Sequence, residues 1–157
     1  MKKHLSVLPI LIFLLGLSIT YALVTHYSSD GYVIVDTLSI DGNTIIMGNG
    51  CKAIIADTSP ERAYSIQLGL DKVIVGRPIT HDTVSEILKS FNITLEAVKI
   101  NGYDGQYYYS DMIMSNNEKV LSLDVMPSDA IAIALRLDAP IYINQTLLNE
   151  VGLDICE

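Results

Sequence analysis

Polarity along the chain changes character twice. From Leu5 through Thr25, "LSVLPILIFLLGLSITYALVT", 21 residues carry no charged side chain, a length that crosses the roughly 30 Å hydrocarbon layer of a bilayer as a helix. Pro9 falls near the start of that segment, where a missing N–H costs little, and Gly16 is tolerated in membrane helices. After the polar joint "THYSSDG" the chain switches to short alternating runs separated by turn dipeptides. "YVIVDTLSIDGNTIIMGNGCKAIIA" reads as a three-stranded meander at 32–40, 43–48 and 51–56, with Asp41-Gly42 and Asn49-Gly50 as loop residues that tolerate positive φ.

The rhythm then moves to helical spacing. "SPERAYSIQLGL" has Ser59 as cap, Pro60 at the first helical position and Glu61 in the first turn, which predicts a helix over 60–69. "KVIVG" reads as a brief buried strand. "RPITHDTVSEILKSFNI" places Val84, Ile87, Leu88 and Phe91 on one face behind Thr80 as cap, an amphipathic helix. Three β-rich runs follow at 94–101, 105–115 and 118–125, a second meander. A helix over 129–137, a strand at 141–143 and a short helix in "QTLLNEVG" complete the chain. Strands and helices come in blocks, so the expected class is α+β, two antiparallel meanders packed with short helices.

The helix in "MPSDAIAIALRLDAPIYI" lacks a polar face. Apolar atoms point in nearly every direction from "AIAIAL", so it must be buried all round, and its alanines permit close approach by a sheet or a second subunit. Ser128 is placed to cap it, with Asp129 in its first turn and Arg136 in its last, each charge set against the opposite end of the helix dipole.

Charge narrows the partners. The formal net charge is -8, and setting aside Lys2 and Lys3 leaves 8 basic against 18 acidic side chains. Such a surface repels phosphate, whereas nucleic-acid binders normally present a basic face. Lys2 and Lys3 precede the apolar segment and Asp30 is the first charge after it, so the positive-inside tendency keeps the N-terminus cytoplasmic and sends the remainder outside. The division is therefore residues 1–27 as membrane anchor or signal segment and 28–157 as one domain. A secreted protein after signal cleavage is the alternative, with "TYA" at 20–22 as the exit, but the apolar run exceeds the usual 7 to 15 residues of a signal peptide.

Cys51 and Cys156 can pair in an oxidising compartment or remain small apolar thiols. "NIT" at 92–94 and "NQT" at 144–146 match the glycosylation acceptor pattern. In "QYYYSD", alternation puts Tyr107 and Tyr109 on one face and Tyr108 on the other, as stacking platforms for bases or as ordinary cross-strand pairs.

For chemistry, His81 is the only histidine after residue 26, and Asp82 stands beside it as a partner for proton transfer, although adjacent helix positions point in different directions. Asp124 and Asp129, with Asp82 or Glu61 brought near by folding, are candidates to hold Mg²⁺ or Mn²⁺, which would offset the negative charge and activate water. Asp129 is also explained by the helix dipole alone.

The stretches "SPERAYSIQLGL", "RPITHDTVSEILKSF", the Asp-bearing second meander and "MPSDAIAIALRLDAPIYI" occur in an order and spacing that resembles the bifunctional nuclease domain family over about residues 50–151. The matching positions are Glu61, Arg77, Pro78, Thr80, His81, Asp82, Pro127, Ser128, Asp129, Ala130 and Arg136. The chain departs at Met126, where the family commonly has Arg before "PSD". The resemblance implies a compact dimeric α+β domain, some members of which are described as cleaving both RNA and DNA. It implies catalytic roles for His81, Asp82 and Asp129 and substrate contacts at Arg77, Ser128 and Arg136. Two functions stand side by side at this point: metal-assisted phosphodiester hydrolysis, or a non-catalytic, membrane-tethered, dimeric binding or assembly module.

Overall fold

The structure is a computed structural model describing residues 29–156. The apolar segment at 5–25, and with it the expected anchor, lies outside the described residues. Among the described residues no helix is long and apolar enough to cross a membrane.

Among the described residues nine strands and four helices follow the order β1 (Tyr32–Ile34), β2 (Thr37–Asp41), β3 (Thr44–Asn49), β4 (Lys52–Asp57), α1 (Pro60–Asp71), α2 (Thr80–Ser90), β5 (Thr94–Tyr103), β6 (Tyr108–Ser115), β7 (Val120–Val125), α3 (Pro127–Leu137), β8 (Ile141–Asn144), α4 (Gln145–Val151) and β9 (Leu153–Asp154). The class is α+β. One sheet runs β1-β8-β5-β6-β7 and the other β2-β3-β4-β9. Neighbouring strands are antiparallel except for β5 and β8, which are parallel.

Both expected meanders form, but the first begins differently. The strand expected over 32–40 divides at Val35-Asp36. Val35 donates its N–H to Ile141 O, in the five-stranded sheet, whereas Asp36 donates to Gly48 O, in the four-stranded one. Two adjacent residues thus serve different sheets, and the polarity pattern marks the change: the core-facing positions pass from Val33 and Val35 to Leu38 and Ile40, a slip of one residue at Asp36-Thr37. The tight loops are Gly42-Asn43 and Gly50-Cys51, one residue later than expected, because Asp41 pairs with Thr44 and Asn49 with Lys52. Only the leading glycine of each loop has positive φ, at 59° in both cases, as a glycine-first two-residue hairpin requires.

"KVIVG" does not form a strand. Lys72 is the left-handed cap of α1, and the N–H groups of Lys72 and Val73 return to Gly69 O and Leu68 O. Those donors close the helix, which leaves Val73, Ile74 and Val75 in an exposed link instead of a ladder. The other boundary corrections are at caps. Thr80 is the first residue of α2, and Ile79 is the cap. Met126 caps α3 without a side-chain bond, so Ser128 lies inside the helix, buried at 6% exposure, and does not cap it.

The helix α3 is buried all round, as its composition demanded. Ala130, Ile131, Ala132 and Ala134 have no accessible surface. It packs against α1 and α2 on one side and β5 and β6 on the other, joining Val98, Ile100, Met112, Ile141 and Ile143 in one core. Its alanines admit the sheet closely, and Gly69 of α1 admits α3. A Cβ at Gly69 would meet both Arg136 Nη1 and Leu135 Cβ at 3.0 Å.

Cys51, in the β3–β4 loop, is bonded to Cys156 near the C-terminus, with Cα atoms 5.2 Å apart at a sequence separation of 105. The bond fastens the short β9 to the edge of β4, where Lys52 pairs with Asp154 and Ala53 with Leu153. A covalent loop of this length restricts the unfolded chain strongly, and removing a native disulfide costs about 2–5 kcal/mol. We expect reduction of the full-length protein, or Cys51→Ser, to lower the unfolding free energy by that amount in urea titrations, seen as a fall in the midpoint. An unchanged midpoint would show that the loop closure contributes nothing.

Candidate functional site

Three helices meet at two ion pairs, one buried and one at the surface. In the buried pair, Arg136 Nε stands 2.5 Å from Asp82 Oδ1, with the side chains 9% and 7% exposed. Asp82 Oδ2 accepts the N–H of Ile79 at 2.9 Å, so the carboxylate also closes the first turn of α2. Arg136 Nη1 donates to Ser65 O and Ala132 O, while Nη2 is buried without a hydrogen-bond partner among the described residues. Burial tends to raise the Asp82 carboxyl, but the Arg136 hydrogen bond, the Ile79 N–H and the charges of Arg136 and His81 outweigh it and hold the group below the usual carboxylate range.

At the surface, Asp129 in the first turn of α3 has Arg62 Nε at 3.6 Å and His81 Nε2 at 3.4 Å from its Oδ1. His81 Nδ1 lies 2.8 Å from Ser65 Oγ. Ser65, His81 and Asp129 therefore line up as hydroxyl, imidazole and carboxylate. Ser65 is only 2% exposed, so its hydroxyl is an orienting partner of the ring and not an accessible nucleophile. The pairing of Arg62 with Asp129 is 40% and 36% exposed, and such pairs contribute at most about 1 kcal/mol to stability. Its consequence is placement of the three groups.

Beside this pair lies a cleft of about 480 Å³ between the two sheets. Ala56, Asp57, Thr58, Ser59 and Arg62 form one wall; Gln106 to Tyr109 and Asp124 to Ser128 form the other. Arg62 is the only cation among the lining residues, and Asp57 and Asp124 are the acids.

The residues expected to act therefore separate. His81 and Asp129 come together, but Asp82 turns away to Arg136 and is not the partner of His81. Their backbone positions are adjacent on α2, so the side chains diverge by about 100°. Arg136 is buried in its pair with Asp82, Ser128 is buried on the cleft wall, and Arg77 is exposed in the α1–α2 link without a hydrogen bond or ion pair among the described residues. Asp124 lies on β7 opposite Asp111. Asp82, Asp124 and Asp129 do not converge as a three-carboxylate cage; among the described residues the one cluster of three metal-ligating side-chain types is Cys51, Asp154 and Cys156, whose sulfurs are bonded to each other. Two carboxylates do line the cleft, Asp57 on one wall and Asp124 on the other.

Sequence reasoning missed Arg62, Ser65 and Asp57. A signal for the first two was present: Arg62, Ser65 and Gly69 recur at i, i+3 and i+7 on α1, a polar and small line on one helix face. Asp57 ends a strand, and nothing in its neighbourhood marks it.

An α+β domain with this helix trio and cleft belongs to a recognised class. The model of the bifunctional nuclease domain matches residues 54–155, and the chain belongs to that family. An uncharacterized protein of Mycobacterium tuberculosis (strain ATCC 25618 / H37Rv) is 32% identical over 105 residues, covering 67% of this chain and 62% of that protein. Bifunctional nuclease 1 of Oryza sativa subsp. japonica is 31% identical over 91 residues, 56% of this chain and 28% of the relative. Bifunctional nuclease 1 of Arabidopsis thaliana is 26% identical over 95 residues, 59% and 29% respectively. The shared region thus spans about three fifths of the mycobacterial protein and less than a third of the plant ones.

Because its folded-state pKa is lowered, Asp82 contributes stability that is fully present above about pH 4, the unfolded carboxylate value, and is lost as pH falls through the folded value. Asp82→Asn leaves Arg136 buried without its counter-charge, which costs about 3–5 kcal/mol near neutrality. In urea denaturation the gap between wild type and this variant is expected to be widest near pH 7 and to narrow below about pH 4. A gap independent of pH would exclude the ionised pair as its source.

Proposed function

We propose that the domain binds and hydrolyses phosphodiesters at the rim of the cleft. The observation that carries this reading is the position of Arg62. Its guanidinium makes no hydrogen bond among the described residues, lines the cleft and adjoins the Asp129–His81 pair. A planar fork of free donors suits a phosphate, which it can hold in bidentate fashion. Ser65 orients the imidazole through Nδ1, and Nε2 faces Asp129. Nε2 of His81 takes a proton from the attacking water as the water oxygen bonds to phosphorus, and returns it to the leaving alkoxide as the ester P–O bond breaks. A divalent ion, Mg²⁺ or Mn²⁺, would be held by Asp57 and Asp124 and would supply positive charge that this acidic cleft lacks.

The test uses single-stranded RNA and DNA with the purified protein, with and without Mg²⁺ or Mn²⁺. His81→Ala and Arg62→Gln are each expected to lower the cleavage rate about 10²- to 10⁴-fold. Activity unchanged in both variants would identify a contaminating nuclease.

A second reading, a non-catalytic membrane-tethered module that works as a homodimer, has its own observation. Arg136 and Lys72 face Asp82 and Asp138, and Lys99 lies over the Tyr32 ring at 4.2 Å. These cations are engaged within the domain, which leaves the outer surface acidic and suited to a basic partner. This reading expects a dimer in sedimentation and no retention of nucleic acid at physiological salt. For placement we infer a single-pass anchor in membrane lipid with the domain extracytoplasmic, or secretion after signal cleavage. The Cys51–Cys156 bond supports an oxidising compartment. Cell fractionation is expected to recover the chain with membranes, or outside the cell, with neither thiol alkylated before reduction. A freely soluble cytoplasmic chain with two reactive thiols would overturn the placement.

A further inference from the structure

We propose that the tyrosine hairpin on the cleft wall is a stacking subsite for a single unpaired base, with Arg62 holding the adjoining phosphate. The inference rests on the phosphodiester reading above and adds a substrate class to it.

The hairpin tip is built as a rigid object. Asp104 accepts hydrogen bonds from the N–H groups of Gln106 and Tyr107, at 2.8 and 2.7 Å, and from the Tyr109 hydroxyl. Those same bonds, led by the Tyr109 hydroxyl, hold the Asp104 carboxyl below its usual range. Tyr103 stacks on Tyr108 with ring centroids 4.4 Å apart, and Gln106 donates to the Tyr107 hydroxyl at 2.9 Å. Despite this ordering, Tyr107 remains 59% exposed and Tyr109 45%. A tip needed only for packing would bury those rings. Held rigid and left open beside a cleft, they offer aromatic area at little entropic cost on binding.

The opposite wall carries Arg62, and the volume of about 480 Å³ lies within the range of small-ligand clefts. Inside a duplex a base presents only its edge, because both faces are covered by its neighbours. A tyrosine ring can therefore take the face of an unpaired base only, and it does so with little regard to sequence. Without a divalent ion, the condition of the binding experiment below, Asp57 and Asp124 oppose a run of phosphates through the cleft. With Arg62 as the sole lining cation, binding should engage about one phosphate, giving a slope of log K against log salt near -0.7 for a single strand.

The experiment is fluorescence anisotropy with the full-length protein in detergent and three labelled probes: a short oligothymidylate, an abasic phosphodiester of equal length and a duplex. The oligothymidylate is expected to bind about 5- to 100-fold more tightly than the abasic chain, a range set by stacking one base. Tyr107→Ala should remove that advantage and Tyr107→Phe, which keeps the ring, should retain it. Equal binding of base-bearing and abasic probes, or an undiminished preference in Tyr107→Ala, would overturn the subsite while leaving the phosphodiester reading in place. A duplex bound as tightly as the single strand would overturn it too. Failure of every probe to bind wild type would overturn both.

Discussion

The contact between Arg136 and Asp82 organises the domain. It joins the last turn of α3 to the first turn of α2, and the same guanidinium reaches Ser65 O on α1. Two charges removed from water seldom gain net stability from each other, and a buried Nη2 without an acceptor adds to the cost. What the pair supplies is a unique arrangement of three helices. Gly69 lets α1 come close enough for that arrangement, since a side chain there would press on Arg136 and Leu135.

The position of the candidate chemistry follows from it. With Asp82 held by Arg136, the neighbouring His81 is directed toward Ser65 and Asp129. Asp129 and Arg136 are seven residues apart, two helical turns, so both lie along the side of α3 that meets α1 and α2. One helix face therefore contains a buried pair at its C-terminal end and a half-exposed carboxylate at its N-terminal end. The first holds the scaffold, and the second opens toward Arg62 and the cleft. This arrangement also reconciles an acidic chain with a phosphate-directed reading. Net charge governs long-range attraction, whereas a single guanidinium with free donors, the one cation lining the cleft, governs what is held at close range.

Much of the architecture was legible in the order of polar and apolar residues. The two meanders and the buried α3 each have a periodicity that local sequence displays, whereas of the apolar face read for α2 only Leu88 is buried and Val84 half-buried, with Ile87 and Phe91 exposed. The failures were of another kind. "KVIVG" has the composition of a strand, yet its first N–H groups close α1. The run at 32–40 reads as one strand, yet serves two sheets. In both cases the deciding event was which distant carbonyl accepted a backbone N–H, a choice that composition does not encode.

The site divides along the same line. The sequence by itself determined that α3 must be interior, that its end charges oppose its dipole and that His81 and Asp82 must diverge, because helical periodicity and electrostatics act over a few residues. Only the tertiary structure decided that Asp82 belongs to Arg136, that His81 belongs to Asp129 and that Arg62 stands between them and a cleft. The partners in those contacts are separated by 54, 48 and 67 residues in sequence, and across such separations side chains are brought together by the packing of three helices and two sheets, not by any local preference.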